Sequence, residues 1–163
     1  MEDNVIIPKM YELAKLINYQ ANDISYLKKA MYCQKLPNPE DGKNRGNYTN
    51  DSLATLGDAI LKFILTEYLF CKYNDKAKIT QKRIEFENND TLYRFCNEYG
   101  IIDYAYHDEN FYNVAPKHNQ VPNPSDHSPY IEAIIAAIYL DRGMKYCKDW
   151  VIKFFKKNNC QLD

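Results

Sequence analysis

The chain has 163 residues, 45% hydrophobic and 26% charged, with 21 lysines plus arginines against 22 aspartates plus glutamates and a formal net charge of -1. This fits one globular domain with a sizeable core, and it excludes both a disordered chain and a strongly basic protein whose overall field attracts nucleic acid. No stretch stays apolar over the roughly 20 residues of a bilayer span, and the acidic start Met1-Glu2-Asp3-Asn4 is unlike a secretory leader. Five cysteines, odd in number and without a C-x-x-C spacing, favour reduced thiols over a disulfide framework or zinc site, so a cytoplasmic protein is expected.

Met10 to Tyr19 places Leu13, Leu16 and Ile17 at helical spacing, and Ile24 to Met31 repeats the pattern with Ile24, Leu27 and Met31. Leu36 to Asn50, with Pro37, Pro39, Gly42 and Gly46, reads as a loop. Asn50 or Asp51 can cap a helix to about Tyr73, apolar nearly all round from Ala59 and hence expected to be central and buried. Thr80 to Phe86 and Asp90 to Tyr99 read as two more helices, the second stopped by Gly100. Residues 104 to 127 carry no period and read as a long irregular connection. Ser128 as cap and Pro129 in the first turn open a helix to Asp141, Gly143 breaks it, and a last helix spans about Met144 to Lys157, with Trp150 as a core anchor. The fold class is all-α.

Two carboxylates lie inside apolar helical runs: Asp58 in Leu56-Gly57-Asp58-Ala59-Ile60-Leu61, and Glu132 in Tyr130-Ile131-Glu132-Ala133-Ile134. A buried carboxylate is costly unless paired, hydrogen-bonded or metal-bound. Asp51 lies two helical turns before Asp58 and so shares its face, which allows three acids on two helices to converge. Oxygen ligands alone suit Mg²⁺ or Mn²⁺, ions that serve phosphate chemistry. A purely structural account also fits the spacing: Asp51 as helix cap, Asp58 paired with Lys62 one turn on, and Glu132 at the positive end of its helix. Gly57 and the small Ala133, Ala136 and Ala137 permit close helix approach around these acids. His107, His118 and His127 fall in the irregular connection with no ligand spacing. Lys76, Lys78, Lys82, Arg83, Lys153, Lys156 and Lys157 are candidate phosphate contacts.

Asn50-Asp51-Ser52-Leu53-Ala54-Thr55-Leu56-Gly57-Asp58-Ala59-Ile60-Leu61 resembles the signature of the ribonuclease III endonuclease domain, usually N-E-x-L-E-[FY]-L-G-D-[AS]-[IV]-L. Similarity continues through Glu67-Tyr68-Leu69-Phe70, Ile79-Thr80 and Asn89-Asp90-Thr91-Leu92. It returns in Glu132-Ala133-Ile134-Ile135-Ala136-Ala137-Ile138-Tyr139-Leu140-Asp141, similar to E-A-L-I-G-A-I-Y-L-D. The resemblance covers about residues 10 to 157 of a single domain, 1-163, and implies the helical fold of that family.

The resemblance also implies a homodimeric endonuclease that cuts double-stranded or structured RNA, using Mg²⁺ or Mn²⁺ held at Asp58 and Glu132, with Asp51 near the site and in RNA contact. Water attacks the phosphate in line and leaves 5′-phosphate and 3′-hydroxyl ends. Of the family's four metal-site acids, two match: Ala54 stands for the second signature Glu, and Pro129 for an Asp three residues before the second-motif Glu. The small Mini-III enzymes of the family, dimeric and without an RNA-binding domain, also carry Ala and a non-acid at those places. Thr55 replaces an aromatic that packs into the partner subunit, so the dimer interface is expected to rely on Leu56 and Ile60. The chain leaves no room for a double-stranded-RNA-binding domain after Asp163, so weak RNA affinity is expected unless a separate RNA-binding partner supplies a basic surface. The two missing acids allow a second reading, a catalytically degenerate RNA-binding or ribosome-associated domain of the same fold.

Overall fold

The computed structural model describes residues 3–32, 50–106, 124–158 and 162. Within these residues lie the helices α1 (Asp3–Leu16), α2 (Ser25–Ala30), α3 (Asp51–Phe70), α4 (Lys76–Glu87), α5 (Asn89–Glu98) and α6 (Pro124–Lys157), with a 3-10 turn at Ile101–Tyr104 between α5 and α6. No strand occurs among the described residues. An isolated bridge pairs Tyr32 with Tyr106, and the Tyr106 N–H donates to the Met31 carbonyl at 3.0 Å. The all-α reading therefore holds.

Most boundaries lie where spacing and stop signals put them, and the exceptions have physical causes. Helix α1 starts at Asp3 rather than Met10 because Ile6 is buried together with Met10, Leu13 and Ala14, extending the apolar stripe backward. Helix α4 starts at Lys76 rather than Thr80, since the Asp75 carboxylate accepts from the Ala77 and Lys78 N–H groups as an N-cap. Asn88 caps α5 through the Thr91 N–H, and Gly100 follows with φ 62, the left-handed stop expected of it. Helix α6 does not open at Ser128. Its backbone is helical from Pro124, a residue suited to the first helical position, so Ser128 is no cap and Pro129 lies within the helix. His127 thus belongs to α6 rather than to the irregular connection, while His107 and His118 lie outside the described residues. Gly143 (φ 81, ψ 174) bends α6 into the two segments that its sequence marks.

Helix α3 crosses α6 at the centre of the molecule, α5 and α2 pack on α6, and α4 packs on α3. The second segment of α6 anchors the core. Trp150 stacks on Phe154 at 4.7 Å, Phe154 on Tyr99 at 5.0 Å, and Phe95 meets Phe155 edge-on at 5.2 Å. The Trp150 indole N–H donates to the Ile17 carbonyl at 3.0 Å, tying this segment to the end of α1. Cys96 and Cys147 are buried thiols whose pKa burial pushes up to about 12, whereas Cys71 is exposed.

Candidate active site

The α3–α6 crossing is set by backbone against backbone. A Cβ placed on Gly57 would lie 1.7 Å from the Glu132 carbonyl oxygen, so only glycine admits this approach. Ala133, Ala136 and Ala137 are fully buried, as small residues at a tight helix crossing should be. Asp58 follows Gly57, and Glu132 carries the opposed carbonyl. The two carboxylates singled out in the sequence are therefore brought together by the crossing itself.

Burial first, then the adjacent Asp58 charge, pushes the Glu132 carboxyl up to about 7, with Glu87 adding to the shift and Lys62 opposing it. Asp58 thus stands beside Glu132 at the helix crossing, close enough for its charge to act on that carboxyl. Contrary to the expectation of a buried residue, the Asp58 side chain is 38% exposed, and the Lys62 ammonium pairs with its Oδ2 at 2.7 Å. The i, i+4 ion pair suggested by spacing is thus present alongside the acidic pair.

Glu87, from the last turn of α4, is a third acid that the sequence did not single out. Its side chain is 11% exposed, Arg83 Nε stands 3.4 Å from its Oε1, and its Oε2 is buried with no hydrogen-bond partner among the described residues. Burial raises its pKa, Asp58 adds to this, and Arg83 and Lys62 oppose it. Arg83 also donates to Thr66 Oγ1 on α3 at 3.3 Å, so α4 is tied to the helix that carries Asp58. The only sequence cue to Glu87 was Arg83, one turn before it.

Asp51 is exposed at the first residue of α3, two turns before Asp58, and is not among the charges that shift Glu132. It does not cap the helix either. Asn50 occupies the cap position, and its side-chain amide donates to the Ala30 carbonyl at 2.8 Å instead. Ala54, one turn before Asp58, is buried at 8% exposure, so no acid replaces the family's Glu from that position. Among the described residues no three Asp, Glu, His or Cys side chains are grouped as a metal cage. The Asp58–Glu132 pair nevertheless suits a hard cation: Mg²⁺ keeps several waters and takes one or two protein carboxylates beside substrate phosphates. A divalent charge would offset both the burial and the Asp58 repulsion that raise Glu132.

Helix α3 is buried on one side only, a correction to the expectation of an all-round buried helix. Leu56, Phe63 and Phe70, spaced two turns apart, are 36%, 54% and 69% exposed along one face of the helix, with the ion-paired Glu67 one turn from both phenylalanines. Ile60, expected on that face, points into the core at 6% exposure. Of the basic candidates, Arg83 and Lys82 are engaged with Glu87 and Glu85. Lys78 and Lys156 lie over the Tyr73 and Tyr68 rings. No helix of the described residues is long and apolar enough to cross a membrane.

Residues 51–143 match the ribonuclease III domain family. Over 120 residues the chain is 32% identical to Ribonuclease 3 of Campylobacter jejuni subsp. doylei, covering 72% of this chain and 51% of that protein. Over 165 residues it is 30% identical to Ribonuclease 3 of Clostridium kluyveri, covering 93% and 63%. The chain thus spans about half the length of the Campylobacter relative. The crystal structure of the nuclease domain of ribonuclease III from Campylobacter jejuni superposes with a TM-score of 0.72 at 26% identity, covering 100% of both chains. A second structure of that domain, described for flexibility in a region involved in dimer formation, gives 0.71 at 25% identity over 94% of this chain and 98% of that one. With the matched segment running from the start of α3 through the Asp58–Glu132 crossing to the bend in α6, the chain belongs to the ribonuclease III domain family.

Proposed function

We propose that the chain is a metal-dependent endoribonuclease that hydrolyses phosphodiester bonds in double-stranded or structured RNA, working in the cytoplasm as a homodimer. The observation that carries this reading is the pairing of Asp58 and Glu132 across the Gly57 contact within a family-matched domain. When bound, Mg²⁺ or Mn²⁺ supplies Lewis-acid stabilisation of phosphoryl charge and a water of lowered pKa. Asp58 and Glu132 would hold that ion, and the rigid crossing keeps their separation constant during turnover. Asp51, exposed at the mouth of α3, would orient the incoming strand or its water shell. The Leu56–Phe63–Phe70 face fits an isologous interface with a second copy, which would place two sites on the two strands of a duplex.

The missing acids at Ala54 and Pro129, together with the Lys62 pairing, favour one further reading, an RNA-binding domain of the same fold without cleavage. Incubating the chain with structured RNA in Mn²⁺, in Mg²⁺ and in chelator separates the two. Cleavage that leaves 5′-phosphates, stops in chelator and is lost in Asp58→Asn and Glu132→Gln supports the nuclease. Salt-dependent binding with no cleavage under any metal condition replaces it with the degenerate reading.

A further inference from the structure

Lys62 stands one turn beyond Asp58 on α3 and its ammonium contacts Asp58 Oδ2 at 2.7 Å. Its charge also acts on Glu132 from α6 and on Glu87 from α4. The lysine is therefore bonded to Asp58 and acts electrostatically on two further carboxylates, carried by two other helices. At 46% exposure its stem is not packed into the core, so the ammonium can leave Asp58 at little structural cost.

We propose that Lys62 is a resident cation of the site that competes with a divalent ion for Asp58 and thereby sets the metal affinity of this chain. The proposal rests on the metal-dependent reading above. A divalent ion on Asp58 must displace the ammonium or tolerate it a few ångströms away, and like charges at that separation, even in a water-like dielectric, weaken ion binding roughly tenfold. The same pairing neutralises Asp58 when no divalent ion is bound, so the acidic group keeps its geometry across both states. Metal entry is thus an exchange of one cation for another rather than the filling of an unbalanced negative site.

The test is a titration of the whole chain with Mn²⁺ alone, without RNA, following free Mn²⁺ by electron paramagnetic resonance. Wild type, Lys62→Met, Lys62→Arg and the Asp58→Asn and Asp58→Asn/Lys62→Met variants are compared. The expected result is a Kd about tenfold lower in Lys62→Met, little change in Lys62→Arg, and no gain from Lys62→Met once Asp58 is Asn. Unchanged or weaker Mn²⁺ binding by Lys62→Met, with wild type binding normally, overturns the proposal and leaves the metal reading standing. Failure of both wild type and Lys62→Met to bind Mn²⁺ at millimolar concentrations overturns the proposal together with the metal reading.

Discussion

Tyr19 and Asp141, 122 residues apart, are joined by a hydrogen bond from the tyrosine hydroxyl to Asp141 Oδ2. The same carboxylate accepts the Asn22 and Asp23 N–H groups, each at 2.8 Å, so the last residue of the second family motif ties the α1–α2 turn to α6. Burial and this bond raise the Tyr19 hydroxyl well above its ordinary pKa. Asp141→Ala strands three donors, and we expect it to lower stability by about 2 kcal/mol, the partial exposure of the turn holding the loss below that of a buried site. Asp141→Asn keeps one acceptor oxygen and should lose about half as much. Urea unfolding of the two variants measures both.

Gly57→Ala puts a methyl group 1.7 Å from a backbone oxygen, which no rotamer change relieves. Helices α3 and α6 must separate. A loss of about 3 kcal/mol or more is expected, with cleavage falling further than the unfolded fraction explains because the carboxylates move apart. Comparing activity per folded molecule with the unfolding midpoint distinguishes the two effects.

Metal-free stability should fall as pH rises through the range in which Glu132 ionises. Its carboxyl is raised from an ordinary 4.5 to about 7 in the folded chain, so between those values the folded state binds more protons than the unfolded one. Stability then decreases with increasing pH and levels off above about pH 7. Partial exposure screens the effect to about 1 kcal/mol. Glu132→Gln removes it, so in chelator that variant should gain on wild type at pH 8 and match it near pH 4, as thermal unfolding across pH would record.

Phe63→Glu and Phe70→Glu alter side chains that are 54% and 69% exposed, and neither should change the unfolding free energy of the monomer by more than about 0.5 kcal/mol. Both should shift a dimer toward monomer in sedimentation equilibrium. Ile60→Glu differs in kind: at 6% exposure it should unfold the chain rather than split a dimer.

The parts of the fold legible in the sequence are those governed by local chemistry. Gly100 and Gly143 mark backbone that only glycine adopts at ease, and both occupy left-handed φ as their positions suggest. Gly57 beside Asp58 and the alanines after Glu132 permit the close crossing that the structure shows. Three features were not legible. An α3 apolar on nearly every side gives no hydrophobic period, so Ile60 and Phe63 could not be sorted into inner and outer faces. The Ser128-Pro129 pair imitates a helix start, yet the backbone is already helical from Pro124. Glu87 reaches the acids only through the packing of α4 on α3, a tertiary relation with no spacing signature along the chain.

The contact between Gly57 and the Glu132 carbonyl divides this domain into what inheritance must keep and what it can vary. Residue 57 cannot gain even one methyl group, whereas residue 129 is only partly buried and residue 51 is exposed, both off that contact. A lineage can therefore exchange carboxylates at such positions one at a time without passing through a chain that fails to fold. The frame outlives any single ligand set, and related chains with different acid complements can descend from one another by single substitutions.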